Sequence, residues 1–293
     1  MKVLLLGGTG FIGSILRKQR PKWIWNSIGQ HHCDLTKPVQ KSDISGSFDV
    51  VINAAGFYGG LVFNKLHQHE ILYTNSAISM NVCRLVQSLR PSKFINIGSA
   101  CVYPGTVTGI MKEDLIGTGP YHPSVQYSAM SKAWMLETMQ TLDLPWEYLI
   151  LSNVYGPGEH IDAERSHFVG SMLNKIKQAD QTIQMIGTGA GVRDFIYTED
   201  TAEAICRYAE LDTATNKPTN ISTGQGASIM YMTKLLVDVS QKNIDIVWGD
   251  EKDNGVLHKV LDNSKMLEDT GFVPSTSLQD GLTKTWKWFS NGK

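Results

Sequence analysis

The sequence is poor in the features that mark several function classes. Its four cysteines, Cys33, Cys83, Cys101 and Cys206, are scattered, with no CxxC pair and no metal-ligand spacing. That argues against a disulfide scaffold or a metal centre and predicts reduced thiols in a cytoplasmic protein. No apolar run approaches the roughly 18 residues of a membrane span. The short run at 3–6 leads straight into glycine, so it reads as a strand and not as a signal peptide. Lys and Arg total 27 against 28 Asp and Glu, a net charge of −1. Bulk attraction to nucleic acid or an anionic membrane is therefore not expected, and an anionic ligand must be met by local cations. Internal repeats, low-complexity segments and Gly/Ser linkers are also missing.

What remains is an ordinary globular composition, 42% hydrophobic and 19% charged over 293 residues. Strand-like runs at 3–6, 50–53, 94–97 and 148–151 alternate with helical patterns at 11–19, 71–89 and 129–142. Strands alternating with helices predict an α/β fold, a Rossmann-type doubly wound parallel sheet. Beyond position 158 the pattern loosens into helices near 168–178, 201–210 and 228–240. We read residues 1–165 as the dinucleotide-binding domain, with later strands returning to it. Residues 166–293 form mainly a smaller C-terminal substrate-binding lobe.

Gly7, Gly10 and Gly13 follow the first strand and open a helix. The first glycine permits the tight turn, the second a close approach of backbone to a pyrophosphate, and the third helix–strand packing. With Phe11 and Ile12, this turn is the expected cofactor cradle, served by the free N–H groups of the helix start. The acid that usually holds an adenosine ribose, about 20 residues on, is missing; the first acid in that region is Asp34. Without it nothing repels a 2′-phosphate, so NADP(H) is favoured over NAD(H), and Asp34 stays a cofactor candidate.

Ser99 lies in Gly98-Ser99-Ala100-Cys101-Val102-Tyr103 after a strand, and Tyr127-Ser128-Ala129-Met130-Ser131-Lys132 opens a helix. This Ser, Tyr and Lys set resembles the extended short-chain dehydrogenases/reductases. The closer resemblance is to the GDP-L-fucose synthase family, 3,5-epimerase-4-reductases of GDP-4-keto-6-deoxymannose. It is carried by Cys101 between Ser99 and Tyr103, by residues 53–60, and by Asn153-Val154-Tyr155-Gly156-Pro157 followed by Ser166-His167. Gly187-Thr188-Gly189 with Arg193-Asp194, Asn254-Gly255 through Asp262, and Trp286-Lys287-Trp288-Phe289 extend it to essentially the whole chain.

The resemblance implies a catalytic set of Ser99, Cys101, Tyr127 or Ser128, Lys132 and His167. Cofactor contacts are implied at Ala54, Ala55, Gly56, Gly98, Lys132, Asn153 and Val154, and substrate contacts at Asn153, Lys175, Arg193 and Lys259. It also implies a GDP-linked or related heptose substrate, a homodimer through the helices near 71–89 and 129–142, and no metal. The chemistry is coherent. A 4-keto group acidifies the hydrogens at C3 and C5, and a thiol and an imidazole both exchange protons near neutral pH.

One more absence matters. The family's tyrosine lies four residues before its lysine, and here that position holds Ser128, while Tyr127 lies five before Lys132. On a helix, i and i+4 share a face, whereas i and i+5 diverge by about 140°. Tyr127 could reach in from a non-helical first turn, the tyrosine could be replaced with reduction impaired, or the enzyme could only epimerise. A non-catalytic dinucleotide-binding protein and a freely reversible 4-epimerase with bound NAD are the rival readings.

Overall fold

A computed structural model describes all residues except 32, 45, 163, 252–255 and 293. Its strands are β1 (Lys2–Leu6), β2 (Ile24–Ile28), β3 (Val50–Asn53), β4 (Lys93–Ser99), β5 (Gly109–Met111), β6 (Trp146–Leu151), β7 (Asn153–Tyr155), β8 (Thr182–Gln184), β9 (Val192–Tyr197), β10 (Pro218–Ile221), β11 (Gly226–Ser228), β12 (Asp245–Val247) and β13 (His258–Leu261). The α-helices are α1 (Phe11–Gln19), α2 (Leu61–Leu66), α3 (Gln68–Leu89), α4 (Gln126–Gln140), α5 (Phe168–Gln178), α6 (Thr198–Glu210), α7 (Ile229–Ser240), α8 (Ser264–Thr270) and α9 (Leu278–Ser290).

Six strands form one parallel sheet in the order β10-β6-β4-β3-β1-β2. Side chains alternate across it. Leu4, Leu6, Val51, Phe94 and Ile150 enter one core, against α3 and α4, and Val3, Leu5, Ile52, Ile95 and Leu149 enter the other, against α1 and α6. Burial on both faces is why these strands read as continuous apolar runs. The chain steps outward from β1 to β2 and then crosses back to β3 on the other side of β1. The carboxyl ends of β1 and β3 therefore flank the point where strand order reverses, the usual crevice for a ligand.

A second sheet runs β11-β9-β13-β5, with β7 paired to β9. Behind it lies a third core built on Tyr155, Leu173, Ile176, Phe195, Leu236 and Leu282. The stretches 1–165 and 166–293 exchange strands: β10 joins the first sheet, whereas β5 and β7 join the second. Asn220 ties the seam. Its amide donates to the carbonyls of Met111 (3.0 Å) and Asp262 (3.0 Å), and its oxygen accepts from the Tyr103 hydroxyl (2.6 Å). The loop bearing Ser99 and Cys101 is thereby anchored to both sheets.

Candidate active site

The glycine turn is as tight as its spacing requires. Gly7 sits at φ +80°, and a Cβ there would fall 2.6 Å from the Ala55 nitrogen in the loop after β3. A Cβ on Gly13 would meet the Gly7 carbonyl oxygen at 2.4 Å, so α1 packs directly on the turn. Gly10 is the N-cap of α1, where a Cβ would approach only the Gly7 carbonyl oxygen, at 3.3 Å, and the helix has no capping side chain and no acid in the first turn. The leading N–H groups of α1 with the positive end of its dipole suit a diphosphate, so the residues present fit a dinucleotide. At the end of β2, Gly29 packs against Thr9. Asp34 turns away into its own loop, accepting from the Thr36 nitrogen (3.0 Å) and hydroxyl (2.6 Å), which holds its carboxyl below the ordinary range.

The carboxyl end of β4 carries the next group. Ser99 caps a short 3₁₀ turn, its hydroxyl accepting from the Cys101 N–H at 3.4 Å. Cys101 is a free, half-buried thiol. Two ammonium groups lie within electrostatic range of it, Lys132 and Lys259. Lys132 projects from α4 and donates to the Ile97 carbonyl at 2.8 Å; burial lowers its pKa to about 8. Lys259 approaches the Ala100 carbonyl at 3.4 Å, and burial together with the like charge of Arg193 lowers its pKa. Arg193, on β9, donates to the Val192 carbonyl (2.8 Å), and burial lowers its pKa too. Neither cation has a carboxylate partner among the described residues. Two cations kept together without an acid are poised for an anion.

His122, which the sequence reading passed over, faces the same two cations. Burial, Lys259 and Arg193 lower its pKa, and its Nδ1 accepts from the Ser124 N–H at 3.3 Å. The ring is thus held neutral with the proton on Nε2. His167 is the N-cap of α5 and stays accessible to solvent, while the protein around it and the nearby His160 lower its pKa. Asn153 donates to the Asp194 carbonyl (2.8 Å), and Lys175, further out on α5, donates to the Gln184 carbonyl (3.0 Å). Asn254 and Gly255 lie outside the described residues.

The start of α4 decides how the hydroxyl groups are used. The helix begins at Gln126, so Tyr127 lies within it, and the explanation that needs a non-helical first turn fails. Ser128 is 4% exposed, and its hydroxyl donates to the Asn64 side-chain oxygen. The Asn64 amide in turn donates to the Gly59 (2.8 Å) and Gly60 (2.9 Å) carbonyls. Gly60 abuts the His167 segment: its N–H reaches the Arg165 carbonyl at 3.1 Å, and a Cβ would strike the Ser166 oxygen at 2.2 Å. Ser128 is therefore a structural link between α4, the loop at 56–60 and the histidine segment.

That loop also carries Tyr58, which the sequence reading quoted within the 53–60 segment without assigning it a role. Its ring centre lies 4.2 Å from the Lys132 ammonium, and its hydroxyl 3.5 Å from the Ser131 hydroxyl. Its position in a matched loop was the only sequence signal available.

Comparison with known proteins gives consistent relatives. The chain is 28% identical to the GDP-L-fucose synthase of Azorhizobium caulinodans over 99% of its own length and 97% of that protein's. It is 27% identical to the GDP-L-colitose synthase of Yersinia pseudotuberculosis over 100% and 99%. Its fold superposes on the NADP-bound GDP-L-fucose synthetase of Naegleria fowleri with a TM-score of 0.88 at 20% identity, covering 99% and 92% of the two chains. The family model described as NAD dependent epimerase/dehydratase matches residues 3–224, and to that family this chain belongs.

Proposed function

We propose that the protein acts on a GDP-linked 4-keto-6-deoxy sugar, or a related heptose, inverting C3 and/or C5 and reducing C4 with NADPH. The observation that carries this reading is the set gathered at the carboxyl end of β4. Ser99, Cys101 and Lys132 adjoin two cations, Lys259 and Arg193, that have no carboxylate partner among the described residues. Relatives named as GDP-L-fucose and GDP-L-colitose synthases support the same substrate class.

In this reading Arg193, Lys259 and Lys175 bind the diphosphate, and Ser99 hydrogen-bonds the C4 oxygen. Cys101 and His167 remove and return the protons at C3 and C5 through an enolate at C4. The Gly7–Gly13 turn with Phe11 and Ile12 holds the dinucleotide pyrophosphate, with Ala54, Ala55, Gly56, Gly98 and Val154 lining the rest. Lys132 serves the nicotinamide ribose. When bound, the dinucleotide supplies the hydride for C4. The absence of a carboxylate at the end of β2, with Asp34 engaged by Thr36, supports NADPH over NADH. A cytoplasmic homodimer through α3 and α4 belongs to the same reading; exposed Tyr73, Met80, Met130 and Trp134 on those helices support it.

The test is incubation with a GDP-4-keto-6-deoxymannose in deuterated water, with and without NADPH. Deuterium at C3 or C5 that Cys101→Ser reduces by about a hundredfold or more, and oxidation of NADPH with the sugar, are the expected results. Deuterium entry without NADPH oxidation leaves an epimerase only. Neither event, with NADPH still bound, overturns the reading in favour of a non-catalytic dinucleotide-binding protein.

A further inference from the structure

We infer that Tyr58 takes the part of the tyrosine absent from position 128 and donates the proton to the substrate's C4 oxygen during reduction. The inference deepens the reductase half of the proposed function and rests on it. Ser128, Tyr127 and Tyr58 are the candidates for the role, since the Tyr148 hydroxyl is already spent on the Lys132 carbonyl (2.9 Å). Ser128 is buried and bonded to Asn64. Tyr127 stands five residues before Lys132 on a continuous helix, about 140° around the axis. Tyr58 alone among the three lays its ring on the Lys132 ammonium, at 4.2 Å, with its hydroxyl beside Ser131 at 3.5 Å. It also lies within electrostatic range of Cys101, the residue assigned to the neighbouring ring carbons.

The position is built, not incidental. Asn75, buried in α3, clamps the backbone of the preceding residue from both sides. Its oxygen accepts from the Phe57 N–H (2.8 Å) and its amide donates to the Phe57 carbonyl (2.9 Å). Gly56 gives the ring its place, since a Cβ there would fall 2.2 Å from Tyr58 Cε2. The far side of the loop is as close, since a Cβ on Gly59 would fall 2.6 Å from the Phe63 ring and one on Gly60 2.2 Å from the Ser166 oxygen. Behind the ring is a cavity of about 10 Å³ lined by Asn53, Asn75, Ser79, Asn96 and Lys132, among others. That is room for about one water with polar partners on several sides.

The step balances. The C4 carbon takes a hydride from the reduced nicotinamide, which is thereby oxidised. The carbonyl π pair moves to oxygen and takes the Tyr58 proton as the phenol O–H bond breaks. The phenolate is left beside the Lys132 ammonium until a solvent proton restores it. An alkoxide is a stronger base than a phenolate, so the transfer is favourable even though burial pushes the Tyr58 phenol above its usual range.

The test compares wild type with Tyr58→Phe for three properties: NADPH binding by fluorescence, deuterium exchange at C3 and C5, and NADPH oxidation with a GDP-4-keto sugar. Expected are binding and exchange within about threefold of wild type and oxidation lowered about a hundredfold or more. In the cofactor-free protein, Lys132 followed by NMR of ¹³C-labelled lysine should titrate roughly 0.5–1 unit lower in Tyr58→Leu than in Tyr58→Phe, because only the latter keeps a ring face on the ammonium. Equal titration in the two variants overturns the contact. Oxidation unchanged in Tyr58→Phe, or lost in Tyr127→Phe instead, overturns the inference while leaving the proposed function intact. Parallel loss of binding, exchange and oxidation assigns Tyr58 a structural role and overturns it as well. A wild type that exchanges deuterium but never oxidises NADPH overturns the reductase reading and this inference together.

Discussion

Glu159 and Ser128 are two side chains whose surroundings contradict their sequence appearance. Glu159, three residues past Gly156, looks like a loop acid but is 4% exposed, with both carboxyl oxygens lacking a hydrogen-bond partner among the described residues. The N–H of Gly170, in the first turn of α5, approaches it without forming a good bond, and burial raises its pKa to about 8. The folded state therefore holds a proton that the unfolded state, with a pKa near 4.5, releases. Stability then falls as pH rises from about 4.5 to about 8 and is flat above that. Glu159→Gln should be close to neutral at pH 5 and stabilising by about 2–4 kcal/mol at pH 8. Thermal unfolding at the two pH values checks this, and an equal shift at both sinks the idea. Ser128 is the converse case, a position where chemistry was expected and packing is found. A tyrosine there would have to displace Asn64, and with it the loop that carries Tyr58.

Helix α1, which presents the cofactor turn, is held by charge at its far end. Arg20, its C-cap, reaches Glu203 (2.7 Å) and Glu210 (2.7 Å) on α6, and Arg207 joins Glu203 at 2.8 Å. Hydrogen bonding to Arg20, then to Arg207 and Gln19, holds the Glu203 pKa down to about 2. A depressed carboxylate stabilises the fold above its unfolded pKa, and that contribution fades as pH falls through about 2. Glu203→Gln should cost about 1–2 kcal/mol at pH 7, discounted for partial exposure. The difference from wild type should shrink steadily below pH 4, followed by chaotropic unfolding. A constant difference would place the effect in packing. A similar device closes the C-terminal end of α6, where the nearly buried Lys93 ammonium donates to the carbonyls of Tyr208 (2.7 Å) and Leu211 (2.6 Å). Lysine near a helix C-terminus complements its dipole, which explains a charge at the start of a strand inside the sheet.

At the scale of the whole molecule, α3 and α4 pack together on one face of the sheet and expose Tyr73 at 70% and Trp134 at 51%. Large aromatic side chains exposed on two neighbouring helices are a feature of surfaces that bind another protein. Wild type should elute with the mass of two 32.5 kDa chains, and Trp134→Glu should return it to one. Light scattering after gel filtration reads the difference. A wild type at the mass of one chain removes the dimer from the proposed function.

Much of the fold was legible from local pattern. The helix expected at 11–19 is α1, the one at 168–178 is α5, and the run at 50–53 is β3, because period and flanking breakers act within a few residues. That Ser128 and Lys132 share one helix was equally legible, because they lie four residues apart. The partners of these residues were not. Asn64 meets Ser128 across 64 positions and Asn220 meets Tyr103 across 117, and nothing in local sequence encodes such a pairing.

By itself the sequence determined the parallel sheet, the glycine turn and the missing tyrosine, since each depends on residue type and spacing along one element. Only the tertiary structure decided what stands where that tyrosine was expected. Ser128 turns to Asn64, and Tyr58 arrives over Lys132 from a loop 74 positions away. Close packing brings those groups together, and packing is a property of the folded whole, not of any one segment.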